Sequence, residues 1–405
     1  MSKRCSVWSV VILLFLILIG VTYTPAKGFV YVHIWQASFS GSLMVVGNQS
    51  YPVSTRWDYI NNNTLQTCEL ITLDITLNND TIVPTDLVSD ADGNSELILN
   101  LTTPMQQNDI LSWREEWRFT VSEQRQNIQH LSIEQSVSIT EIEDIIGEQN
   151  YHRYTQGTNL WKITNLTLTN LATDIQENLP ENQRENALSL VFAAIEWIHH
   201  NINRTILLVE PQYPEELLVS RIGDCDDQSN LLIALLRIYG IPSYLMTGHW
   251  YQEGASTNRY LWGSVSENAF LFVNWKNVLG HGWTMVYIPP WGWLPFDLSV
   301  ENIEISPANA YSDSLFAKGL PMVSLWRCIS SDYIGEQRSL KQDIFDYHLH
   351  LYDFETWTTL GTIPILDFFY FAINVATIIA LAITLVLLSC LVGISMRRQP
   401  QEDNS

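Results

Sequence analysis

From Phe368 to Met396 the only strongly polar residue is Asn374, and Arg397 and Arg398 follow at once. Nothing else in the sequence restricts the chain as much. A helix apolar on every face has no side to show to water, and this one is long enough to span a bilayer with some tilt. Residues 363–396 are therefore expected to form a transmembrane helix, and the positive-inside bias puts the tail 397–405 in the cytoplasm. At the other end, Lys3 and Arg4 precede an apolar run from Val7 to Val21, broken only by Ser9 and Gly20. Fifteen helical residues reach roughly 22 Å, short of a bilayer core of about 30 Å. That pattern describes a secretory signal over 1–27. Thr24-Pro25-Ala26 is a poor cleavage match, so an uncleaved signal anchor stays as the alternative, with two passes in place of one. In either case the intervening chain is expected outside the cell, at the cell membrane.

The charge balance narrows the function classes. Lys plus Arg number 21 against 43 Asp plus Glu in 405 residues, a net charge of −22. This argues against a nucleic-acid partner, which needs clustered cations. A hydrophobic content of 46% with 15 Trp excludes a mainly disordered chain. Asn48, Asn62, Asn79, Asn100, Asn165 and Asn203 each open an N-glycosylation acceptor pattern, in keeping with an outer location. Cys5 and Cys390 fall in or beside the apolar ends, leaving Cys68, Cys225 and Cys328. An odd number allows at most one disulfide among them. The expected pair is Cys68 with Cys328, leaving Cys225 as a free thiol.

Residues 28–125 alternate in short apolar runs separated by turn signals. Trp117-Arg118-Phe119-Thr120-Val121 has the strict alternation of a strand with one buried face, and Leu70 to Leu77 ends at the turn-prone Asn78-Asn79-Asp80. The expectation is an all-β sandwich followed by a connecting segment over 126–178. Asp90-Ala91-Asp92-Gly93-Asn94 reads as a turn, since the Glu that closes an EF-hand calcium loop is missing.

From Leu179 the period changes to that of a helix. Pro180 suits a first turn, and Leu188, Val191, Phe192, Ile195, Ile198 and Ile202 share one face. His199 and His200 are adjacent and point apart, as surface histidines do. Further on, Gly223 permits a tight turn before Cys225, and Leu231 to Leu236 mark a buried helix that Gly240 and Pro242 stop. Cys225 thus sits near a helix N-terminus, where unpaired N–H groups favour a thiolate and can face an oxyanion. Asp224, Asp226 and Asp227 oppose this, because nearby carboxylates raise a thiol pKa. Phe270 to Trp275 reads as a strand, and a second opens with Gly280-His281-Gly282-Trp283. After the turn Pro289-Pro290-Trp291-Gly292, a third strand runs from Trp293 to Asp297. Antiparallel pairing would set His281 near Asp297, and Cys225, His281 and Asp297 follow the logic of a Cys-His-Asp triad.

Gly223-Asp224-Cys225-Asp226-Asp227, the helix ending at Arg237 to Pro242, and His281-x-Trp283 with Asp297 after Gly292-Trp293 resemble the transglutaminase-like superfamily over roughly 175–300. The resemblance implies an α+β, papain-like core over 179–300, with Cys225 as nucleophile, His281 as general base and acid, and Asp297 as the orienting carboxylate. It also implies an oxyanion residue upstream of the cysteine, for which Gln212 is the candidate. His249 reads first as the cap of a strand, with a place lining the cleft as the alternative. The acidic cluster Asp224, Asp226 and Asp227 offers carboxylates to a cation but lacks the regular spacing of oxygen ligands that a cation loop has, and no sequence feature identifies a cofactor. Residues 301–362, with Trp326, Cys328, Tyr347, His348 and His350, are expected as an extension packed on the catalytic domain. The expected function is thiol acyl transfer or amide hydrolysis on a protein or peptide substrate, or on cell-envelope glycan. The rivals are a non-catalytic surface module for binding or adhesion on the same fold, and a structural envelope protein.

Overall fold

The structure, a computed structural model, describes residues 29–54, 56–63, 66–122, 131–205, 210–298 and 322–366. The expected signal over 1–27 and the expected transmembrane helix 363–396 lie outside these residues, apart from the strand end at 363–366. Among the described residues no helix is long and apolar enough to cross a membrane. The chain divides into a unit of Met1–Val32 with Ile363–Ser405 and a unit of His33–Thr362.

In chain order the strands and helices begin with β1 (Phe29–Val45), β2 (Arg56–Tyr59), β3 (Gln66–Leu77), β4 (Asp80–Thr81), β5 (Pro84–Ser89), β6 (Ser95–Leu99) and β7 (Ile110–Ser122). Then come α1 (Ile142–Ile146), α2 (Glu148–Thr155), α3 (Leu166–Glu177), α4 (Ala187–Asn201), β8 (Asn203–Arg204), α5 (Pro214–Ser220), β9 (Ile222–Gly223) and α6 (Cys225–Ile238). The rest is β10 (Ser243–Ser264), β11 (Ala269–Ile288), β12 (Gly292–Phe296), β13 (Met322–Cys328), α7 (Tyr333–Asp346) and β14 (Leu349–Leu366).

One nine-stranded sheet dominates, in the order β13-β10-β11-β14-β1-β7-β3-β4, with β12 paired to β11. The alternation read in the sequence is visible in β7, where Trp117, Phe119 and Val121 are buried and Arg118 is exposed. A second, three-stranded sheet, β2-β6-β5, packs Trp57 against Trp113 of β7. Residues 28–125 therefore do layer one sheet on another. The separate sandwich is nonetheless corrected, because β1, β3 and β7 are bonded into the same sheet as the strands of 243–296. Strand periodicity reports which faces are buried and is silent on which strand lies alongside. Of the expected extension, 301–321 lies outside the described residues, and from 322 on the chain packs on the catalytic domain by joining its sheet. β13 pairs antiparallel with β10, and β14 pairs parallel with β11, Phe270 opposite His350 through Lys276 opposite Thr356.

Helices cover the end of the sheet formed by β10, β11 and β12. Leu231 to Leu236 of α6 are fully buried, which suits a helix apolar on all sides; each such Leu contributes about 2 kcal/mol of burial. Around them pack Leu188, Val191 and Ile195 of α4, and Leu245, Val286 and Phe296 of the sheet. The stretch read as a connecting segment joins the same core, through Ile142, Trp161, Leu168, Ala172 and Ile175. Its strongest local signal is Asn165, whose side chain accepts from the Thr167 and Leu168 N–H groups and caps α3. The helix expected from Pro180 begins later. Glu181–Gln183 is a 3-10 turn, and Asn186 caps α4 through the Ser189 N–H. α6 stops at Tyr239, where Gly240 takes φ +77° and the Ile241 N–H closes back on the Leu236 carbonyl at 2.8 Å. Arg237, 2% exposed, ties this end down by donating to the carbonyls of Gln156, Ser243 and Ile329.

Candidate active site

Cys225 is the first residue of α6, half-buried, and its position follows from the two residues before it. A Cβ on Gly223 would meet Leu217 Cδ1 at 2.7 Å and Asp227 Cβ at 2.9 Å, so only glycine lets the chain pass between α5 and the first turn of α6. Asp224 then caps the helix. It and Asp227 form a reciprocal capping box, with the Asp224 N–H donating to Asp227 Oδ2 at 3.3 Å.

β11 runs past this turn. A Cβ on Gly282 would stand 2.9 Å from Asp226 Cβ and 3.3 Å from Asp226 Cα, so glycine allows the strand to touch the helix start. The Gly282 N–H faces the Cys225 sulfur and favours its thiolate. Two residues on, the buried Thr284 hydroxyl donates to the Ser229 carbonyl at 3.2 Å and fixes strand to helix. The residues read as two strands, 270–275 and 281–288, are one continuous strand, Ala269–Ile288.

His281 and Asp297 meet through the β11–β12 register. Thr284 pairs with Phe296, so Asp297 lies one residue past the pairing, diagonal to His281 on the same face. The His281 Nε2 to Asp297 Oδ2 distance is 2.7 Å, with the His side chain 9% and the Asp side chain 1% exposed. With Nε2 held by a carboxylate, Nδ1 is the ring nitrogen able to take a proton from a neighbour. Trp283 stacks near the imidazole, ring centroids 6.1 Å apart at 25°.

The acidic residues around Cys225 raise one another's pKa. Burial, then a side-chain hydrogen bond and charge from Asp226, push the Asp224 carboxyl up to about 9, so it is a neutral donor at pH 7. Burial and Asp226 push Asp227 up to about 6. The Tyr333 hydroxyl donates to Asp226 Oδ2 at 2.6 Å, and Asn230 Nδ2 donates to the Tyr333 oxygen at 2.7 Å. Ligand atoms of Asp224, Cys225 and Asp226 lie within 4.8 Å of one another, and Asp226 Oδ2 already accepts from the Tyr333 hydroxyl. The Cys225 thiol is still pushed well above its ordinary value, by burial first and then by Asp226 and Asp224; the Gly282 N–H acts the other way. The resting sulfur is therefore a thiol.

Cys225 and His281 line one cleft of about 710 Å³ with Asp226, Gly282, Trp326 and Tyr333. His249 lines it too, the alternative to the strand-cap reading. It lies inside β10, with Nδ1 2.6 Å from Oε1 of the buried Glu355. Gln212, the oxyanion candidate, is turned away. Its N–H donates to Asp227 Oδ1 at 2.7 Å and its Nε2 to the Ile222 carbonyl at 2.9 Å, so it buttresses the capping box. The expected Cys68–Cys328 disulfide is absent, and both thiols are free and buried. Cys68 packs with Trp35, Trp117 and Phe119, whereas Cys328 belongs to the core around α6. The sequence reading missed Gly282 and Tyr333. The flanking pattern Gly280-His281-Gly282 carried a signal for the first, while Tyr333 comes from a distant helix and left none.

A cysteine opening a buried helix, against a strand whose histidine is held by a carboxylate just past the next strand, defines the centre of an α+β domain. The core model of the transglutaminase-like superfamily matches residues 173–298, and this stretch is a transglutaminase-like core domain. Over 99 residues the chain is 29% identical to uncharacterized protein YebA of Bacillus subtilis (strain 168), a match covering 24% of this chain and 12% of the length of that protein. Among solved structures, a candidate cysteine protease from Cytophaga hutchinsonii aligns with a TM-score of 0.40 at 14% identity, over 84% of this chain and 90% of that one. The periplasmic domain of TgpA from Pseudomonas aeruginosa aligns with a TM-score of 0.29 at 13% identity, over 73% of this chain and 94% of that one.

Proposed function

We propose that the chain is a cysteine acyltransferase or amidase acting on protein or peptide substrates through Cys225, His281 and Asp297. The observation that carries this is the 2.7 Å His281–Asp297 contact, set beside a cysteine that opens a helix in the same cleft. Because the resting sulfur is a thiol, His281 acts as a general base during attack: Nδ1 takes the thiol proton as Sγ bonds to the amide carbonyl carbon. The N–H groups of the first turn of α6 face the oxyanion. The tetrahedral intermediate collapses, the C–N bond breaks, and the leaving amine or ammonia departs with the proton from His281. An amine or water then attacks the thioester and returns the thiol. Asp297 keeps the imidazole in the tautomer that this needs.

Water reaches an outer-surface cleft freely, which favours hydrolysis over transfer. We further propose that the domain is displayed outside a cell membrane, on the strength of the apolar 368–396 segment and the basic, apolar start of the chain. The resting thiol itself favours the second reading, a binding module on the same fold. One experiment addresses both. Full-length protein is incubated with glutamine-containing peptides and a fluorescent amine, with ammonia release and peptide cleavage followed alongside. Turnover that disappears in Cys225→Ala supports the enzyme. Peptide binding that survives Cys225→Ala, with no turnover in the parent protein, supports the module.

A further inference from the structure

A second cavity of about 430 Å³ adjoins the catalytic cleft, sharing Asp58, Thr247, Leu325 and Trp326 with it. Its walls are largely aromatic, with Phe39, Trp57, Tyr59 and Trp113 beside Trp326. None of these rings is fully buried, so each offers a surface to the cavity. Trp57 and Trp113 stand edge to face, centroids 5.5 Å apart. The Trp57 indole N–H is fixed by Glu115 Oε1 at 2.6 Å, and Glu115 is held in turn by Trp117 Nε1 at 2.7 Å. The wall is thus pre-set rather than assembled on binding.

The charge lining this space is predominantly negative. Asp58, Glu115 and Asp353 line the cavity, and Trp275 Nε1 donates to Asp353 at 2.8 Å. Asp90, Glu96, Asp226 and Glu336 line the adjoining cleft. Among the described residues no Lys or Arg lines the cleft, and the cavity has only Arg56, already ion-paired with Glu96 at 2.5 Å. Burial pushes Asp353 up to about 6, a cost that a bound cation relieves.

We infer that this cavity is a specificity subsite for a cationic side chain, Lys or Arg, of the peptide whose amide is attacked at Cys225. The inference rests on the function proposed for that cysteine and names its substrate class. Aromatic faces attract a cation through the ring quadrupole, and the attraction grows when water is excluded. Carboxylates add charge-assisted hydrogen bonds that a neutral chain of equal length cannot make. An acidic side chain meets repulsion in both cavities.

The test uses short peptide chloromethyl ketones, identical except that Lys, norleucine or Glu is scanned through each position. Labelling of Cys225 in the full-length protein is followed by mass spectrometry. Every rate is normalised to that of iodoacetamide on the same sample, which removes differences in folding and thiol reactivity. At one position the Lys reagent is expected to label about ten-fold faster than the norleucine reagent, equivalent to about 1.4 kcal/mol, with the Glu reagent slowest. The advantage is expected to shrink in Asp58→Asn, in Asp353→Asn and in high salt. Equal rates for Lys and norleucine at every position overturn the inference, as does an advantage that survives both substitutions. Protection of Cys225 by N-acetylglucosamine oligomers without any Lys preference also overturns it and assigns the aromatic wall to a glycan. Chloromethyl ketones need only the thiol. Acylation by an activated ester on the same samples therefore reports separately on His281, so a failed subsite and a failed triad give different patterns.

Discussion

Gly282 presses so closely on the first turn of the nucleophile's helix that a methyl group on it would stand 2.9 Å from the Asp226 Cβ. This contact sets the distance between the strand carrying His281 and the helix carrying Cys225, and it brings the Gly282 N–H to the sulfur. Gly282→Ala is therefore expected to leave the protein folded while its acylation rate falls by about 100-fold, since a misplacement of about 1 Å costs that much. Rates with an activated ester, beside a thermal melt, check this.

Asp297 is expected to matter through the imidazole rather than through the fold. Asp297→Asn keeps the shape but can donate to Nε2 and stabilise the wrong tautomer. Acylation is expected to drop on the order of 10³- to 10⁴-fold, as in other triads that lose the carboxylate. A loss under ten-fold would mean that Asp297 only packs.

The proton on Asp224 makes stability depend on pH. Its carboxyl titrates near 3.8 when free and near 9 in the folded protein, so between those values the folded state holds a proton that the unfolded chain has released. The stabilisation from this group is full below the free value and is lost as pH rises toward about 9. Asp224→Asn keeps a neutral donor to Asp226 and removes the titration. Its melting temperature is expected to fall less than that of the parent between about pH 5 and pH 9, as measured by calorimetry.

How much of this was legible in the sequence depends on the range of the interaction. The apolar core of α6, the turn at Gly223, the alternation of β7 and the proximity of His281 to Asp297 are local patterns, set by neighbours within about 16 residues, the span from His281 to Asp297. The sheet was not legible. β14 inserts between β11 and β1, residues distant in sequence, and nothing in a strand's own alternation names its partner. Tyr333 reaches Asp226 from α7 for the same reason. The carboxylates flanking Cys225 were visible, but the burial that raises their pKa and the Tyr333 hydroxyl that donates to Asp226 come from residues far along the chain.

Arg237 tests that long-range packing. It donates to the carbonyls of Gln156, Ser243 and Ile329 and stacks 4.1 Å from the centroid of Trp161, while burial lowers its pKa to about 9. Arg237→Met leaves those buried acceptors without their donor. The expected cost is about 3 kcal/mol or more, read from denaturant unfolding.

The chemistry turns on Cys225 forming a thioester while His281 takes its proton. Full-length protein is mixed with p-nitrophenyl acetate, and acetyl transfer is followed by peptide mass mapping in the parent, Cys225→Ala and His281→Ala proteins. One acetyl group is expected on Cys225 and none at that position in Cys225→Ala. In His281→Ala the rate is expected to fall at least 100-fold, the lower range for a general base. Acetylation elsewhere, or a His281→Ala rate equal to that of the parent, would contradict this chemistry.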